Sequence, residues 1–183
     1  GLESDPELLK LSRDMIKVMA SWNDFNGTNS FYPAAVRVGY DPQEILRYLE
    51  SWAGQKTANG MKHGKNAHGM ESCTPSIVTI NLLLCTAHQD VLRVFHAWPK
   101  NLDAAFENLR TEGAFLVSSR LTNGMVEYVE ITSERGRTCT IDNPWPGQQV
   151  AVTRGDGRTE TASGERVRLE TQINEKLRLV PQG

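Results

Sequence analysis

The chain has 183 residues, 39% of them hydrophobic and 23% charged, with a formal net charge of −2. That is enough for one ordinary domain or two small ones, and the charge balance gives no basic footprint for nucleic acid. Its longest apolar run, Ile77 to Cys85, is broken by Thr79 and Asn81 and is far short of the ~20 residues that cross a bilayer.

Helical spacing dominates the first half. Ser4-Asp5-Pro6-Glu7 has the form of a capping box, with Ser4 as cap, and predicts a helix over about Asp5 to Ser21. Leu8, Leu11, Met15, Val18 or Met19, and Trp22 recur along it at helical spacing. A loop from Trp22 to Asn29 follows, then a short helix through Phe31 to about Val38, ended by Gly39. Asp41-Pro42-Gln43-Glu44 caps a third helix, with Ile45, Leu46, Leu49, Trp52 and Ala53 as its inner face. Thr57 to Cys73 carries glycines and no period. Thr74-Pro75 then starts a fourth helix that is apolar nearly all round, a pattern expected of a helix buried on most sides.

After Pro99 the period becomes two. Phe115 to Arg120, the Thr122-Asn123-Gly124 turn and Met125 to Thr132 predict a hairpin. Further strands are expected at 138–141, 149–153, 158–161, 166–171 and 176–180. The fold class read from these patterns is α+β: a helical segment over residues 1–90, then an antiparallel β-sandwich over residues 91–183. Cys73, Cys85 and Cys139 make no disulfide framework; Cys85 reads as a small hydrophobe in a helix and Cys139 as one in a strand.

Chemistry concentrates between Met61 and Thr74. Glu71 stands just ahead of the fourth helix, whose positive end favours an ionised carboxylate suited to a general base; the plain alternative is a surface charge at a helix start. His63, His68, Cys73 and His88 match no compact zinc spacing, so no metal and no cofactor are expected, and His63 and His68 read as hydrogen-bond donors to a polar ligand. Asn23, Asp24, Asn26 and Asn29 read as turn formers, the alternative being a sugar-binding or acid/base cluster. Trp22, Trp52, Trp98 and Trp145 are candidates for stacking on a sugar ring or, more plainly, for core packing.

Over residues 60–141 the sequence resembles the C-terminal part of family 95 of the glycoside hydrolases, the inverting α-L-fucosidases and their relatives. The run Leu83 to Pro99 resembles the end of an inner helix of that family's (α/α)6 barrel, of the form L-L-Q-S-H-x-G-x-I-x-L-L-P-A-L-P. Arg110 to Val117 resembles a glycine-bounded strand, and Ile131 to Cys139 its I-x-S-x-x-G-x-x-C turn. Glu71 falls where the family has a loop aspartate in Q-x-D-G-N-F-G. The D-G-N-F-G loop itself is replaced by Glu71-Ser72-Cys73-Thr74-Pro75. The resemblance implies about four helices of a partial (α/α)6 barrel, preceded in the parent by the rest of the barrel. It implies Glu71 as base or water-orienting carboxylate, with His63, Asn66 and His68 lining a sugar pocket. Plant or host polysaccharides would be the substrates and the periplasm or exterior the location. The partners implied are carbohydrate and the remainder of the enzyme or a second copy, covering the apolar helix 75–88; nucleic acid and membrane are not among them. The family's water-activating asparagines and its acid glutamate have no match here, so the chain alone is expected to be inactive. The alternative is a non-catalytic carbohydrate-binding or structural accessory module.

Overall fold

A computed structural model describes residues 2–22, 28–54 and 74–182; the side chains of 28, 29 and 74–76 are outside the description. The fold is mixed α+β and divides into two compact units, Gly1–Leu83 and Leu84–Gly183. This division falls before the 90/91 line drawn from sequence, because the residues just after the fourth helix already pair as strand with Arg93–Val94.

The first unit contains α1 (Pro6–Met19), α2 (Thr28–Arg37), α3 (Pro42–Ala53) and all but the end of α4 (Thr74–Leu84). Asp5, rather than Ser4, caps α1. Its carboxylate accepts from the Glu7 and Leu8 amides at 2.8 and 3.3 Å. Pro6 decides this, since proline at the first helical position makes its predecessor the cap. Asp41 does the same for α3, as the sequence indicates. Gly39, at φ +67°, ends α2.

Trp22 is buried among Phe31, Tyr32, Tyr40 and Tyr48, stacked on the last with centroids 4.7 Å apart. Ile45, Leu49 and Trp52 form the inner face of α3, whereas Ala53 is exposed.

Apart from Trp22, the apolar stripe along α1 faces outward. Leu8, Leu11 and Met15 are 59%, 60% and 62% exposed, and Val18 and Met19 are exposed as well. The buried residue of α1 is Ile16, and on the same side Arg13 donates to the Val38 carbonyl at 3.1 Å. Likewise Thr79 and Leu83 of α4 are buried but Ile77 and Val78 are exposed, so this helix is not covered all round.

The second unit opens with β1 (Cys85–Thr86), antiparallel to β2 (Arg93–Val94) across a 3₁₀ turn at His88–Asp90. Cys85 thus belongs to a strand and not to a helix. β3 (Ala104–Thr111), β4 (Phe115–Thr122), β5 (Met125–Ser133), β7 (Gln149–Arg154), β8 (Thr159–Ala162) and β10 (Glu175–Gln182) form a six-stranded sheet in the order β3-β4-β5-β10-β7-β8, with every neighbour antiparallel. β6 (Cys139–Asp142) pairs with β9 (Arg166–Leu169) in a separate ribbon. A Leu92–Ile141 bridge ties that ribbon to β2.

Asn123 and Gly124 both have positive φ and make the two-residue β4–β5 turn that the sequence signalled. One face of the large sheet supplies Val117, Val129, Ile131, Val150, Val152, Leu177 and Leu179 to a core completed by Ile141, Val167 and Leu169 from the ribbon. At roughly 25 cal/mol per Å² of apolar surface, each such side chain contributes about 1.5–3 kcal/mol.

Candidate functional site

Glu71, His63, Asn66 and His68 lie outside the described residues, as do Cys73, Asn23, Asp24 and Asn26. His88 is described, half-buried in the 3₁₀ turn, with its amide donating to Thr86 Oγ1 at 3.2 Å. Among the described residues no three His, Cys, Asp or Glu side chains converge as a metal site.

The tryptophans pack. Trp52 is buried on α3. Trp145 is buried too, its indole N–H donating to the Val126 carbonyl at 2.6 Å, so it offers no platform to a sugar. Trp98 donates to the Leu102 carbonyl at 2.9 Å.

Two polar assemblies stand out in the second unit. In the first, Asp142 accepts from Arg93 Nε at 2.6 Å and from Arg166 Nε at 2.8 Å, joining β2, β6 and β9. Arg93 is only 5% exposed and also donates to the His88 and Val91 carbonyls, which makes this a structural clamp over the 3₁₀ turn. His96 lies close by. Burial lowers its imidazole to about 4, the Arg93 cation adds to the effect and Asp142 opposes it. Its Nδ1 is sealed from solvent and has no hydrogen-bond partner among the described residues.

The second assembly is a groove of about 380 Å³ on the face of the large sheet turned away from the core. Strand alternation builds it: as Val117, Ile131 and Leu177 turn inward, their neighbours Ser118, Glu130, Thr132, Lys176 and Arg178 turn outward. Pairing places Ser118 beside Glu130, Glu130 beside Arg178, and Arg178 beside Thr153. A second row runs from Leu116 through Thr132 to Lys176.

Arg178 forms an ion pair with Glu130, and its guanidinium lies 4.6 Å from the centre of the Tyr128 ring. The bulge between Phe106 and Leu109 puts Asn108, at φ +52°, on the rim, where its backbone N–H donates to Ser118 Oγ at 2.9 Å. Bulges commonly re-aim a side chain in this way.

At the far end Arg154 binds Glu160 and Glu175, each at 2.7 Å. Burial acts to raise the Glu175 carboxyl, but hydrogen bonds from Arg154 and the Gln172 amide outweigh it and leave it below its ordinary range. None of the groove residues was expected from sequence to belong to a site. The available signal was the run of polar outward positions on β4, β5 and β10, whose adjacency only the sheet order reveals.

No family model matches the sequence, and no curated protein matches it either.

Proposed function

We propose that the chain is the C-terminal part of an inverting glycoside hydrolase similar to the family 95 α-L-fucosidases. In this reading the helices are the last of an (α/α)6 barrel and the strands form its accessory β-sandwich. The enzyme would act on plant or host polysaccharides in the periplasm or outside the cell. The observation that carries the reading is the outward apolar stripe of α1, together with Ile77 and Val78 of α4. Apolar faces of this size call for a cover, and further helices of a barrel would supply one.

Glu71 is then the base that activates water, with His63, Asn66 and His68 around the sugar. Inversion needs a second carboxyl group far enough away to admit that water, and its place is in the preceding part of the barrel. The isolated chain therefore turns over no aryl fucoside or galactoside. Joined to its preceding helices it does, and Glu71→Gln lowers kcat by ~10²–10⁴-fold. Turnover by the 183-residue chain alone, or full activity of the Glu71→Gln parent, would sink this assignment.

The second reading is a non-catalytic carbohydrate-binding module. The observation in its favour is the polar groove on the sheet.

A further inference from the structure

The groove on the outer face of the large sheet has a length, a charge and a missing feature, and the three together specify a ligand. Its lining comes from β3, β4, β5, β10 and β7. Five adjacent strands at ~4.8 Å spacing span ~19 Å, which suits an extended chain rather than a single small molecule. Among the described residues the one aromatic ring facing outward from this sheet is Tyr128, and Arg178 already lies over it. A neutral sugar therefore finds no free ring to stack on.

What remains is hydrogen bonding and charge. The polar side chains of Asn108 and Thr132 belong to the lining along its first three strands. The cations differ in how they are matched. Arg178 is neutralised by Glu130, and Arg154 by Glu160 and Glu175. Lys176 is exposed and has no ion-pair partner among the described residues. Gly155 lines the groove beside it and carries no side chain; a Cβ there would lie in ordinary contact with the Lys176 carbonyl oxygen at 3.4 Å and its Cβ at 3.8 Å. The groove thus keeps one ammonium unmatched beside hydroxyl and amide partners.

We propose that this groove binds an extended polysaccharide bearing carboxylates, a polyuronate, with Lys176 meeting a uronate carboxylate while Asn108 and Thr132 meet ring hydroxyls. The site belongs to the sheet unit alone. It needs neither Glu71 nor catalysis, so it stands or falls separately from the hydrolase reading.

The test is affinity electrophoresis of the full chain in gels containing polygalacturonate, its fully methyl-esterified form, or poly-L-glutamate. Retardation by polygalacturonate is expected. Binding should weaken about tenfold or more when the carboxylates are esterified, and by a similar factor in Lys176→Met, which keeps the stem and loses the charge. Lys10→Met on α1 should bind as the unmodified chain does. Thermal melting confirms that both variants are folded. No retardation by polygalacturonate, undiminished binding by Lys176→Met, or equal retardation by poly-L-glutamate would each overturn the proposal; the last would mean that charge alone is recognised.

Discussion

His96 makes the sheet unit sensitive to acid, and the size of the effect follows from its surroundings. In an unfolded chain a histidine titrates near 6.5; buried beside Arg93 and Lys100, it is lowered to about 4. Between these values the unfolded state binds the proton and the folded state does not. Stability is therefore complete above about pH 6.5 and falls as pH drops towards 4, below which this group adds no further loss. At 1.36 kcal/mol per pKa unit the full loss is about 3 kcal/mol, a large part of a small unit's stability. Carboxylates held low, such as Glu175, contribute their own loss only at the acid end of this range.

The direct assay is an NMR titration of the imidazole, expected to show no protonation until well below pH 5.5. The companion assay is urea unfolding against pH, read from exchange-protected amides of β5 and β10. His96→Leu also removes the unpartnered Nδ1 and should flatten the profile between about pH 6.5 and 4.5. An imidazole midpoint near 6.5, or an unchanged slope in His96→Leu, refutes the reasoning.

Three other predictions concern the scaffold. Asp142→Asn removes the carboxylate that accepts from both Arg93 and Arg166 and should destabilise the sheet unit by about 1–3 kcal/mol in denaturant unfolding. Asp5→Ala removes the α1 cap and should cost about 1 kcal/mol, measured as helical circular dichroism on heating. Leu11→Glu with Met15→Glu should change the melting temperature of the isolated chain little, because both residues are exposed. The same pair should abolish association with the preceding barrel helices in a pull-down if those helices cover α1.

Features set by neighbours in sequence were legible. The Asp41-Pro42 start of α3 and the Asn123-Gly124 turn are local chemistry, and both hold in the fold. The burying side of α1 was not. The sequence shows which face is apolar, and the inference that this face is inward assumes that the core lies within the chain; Ile16 and the Arg13–Val38 contact show the helix turned the other way. β3 was missed because its bulge at Asn108 interrupts the alternation that marks a strand, and Glu107 and Arg110 give it a polar face.

As for the sites, the loop from Met61 to Glu71 lies outside the described residues. The groove was invisible because Glu130 and Arg178 meet only once β10 pairs with β5, and nothing in either strand names its partner.

That pairing also shapes how the chain comes off the ribosome. β3, β4 and β5 are joined by tight turns and can form a meander as soon as Ser133 has been made. β5 then waits with one edge open, because its neighbour on that side is β10 rather than β6 or β7. Until Glu175–Gln182 arrives, that edge presents unpaired amides and carbonyls to any strand within reach, and the β7–β8 hairpin has nothing to dock on. The strand that completes the sheet is the last of the described elements to be synthesised, so the unit should depend on chaperones during synthesis more than its finished stability would indicate.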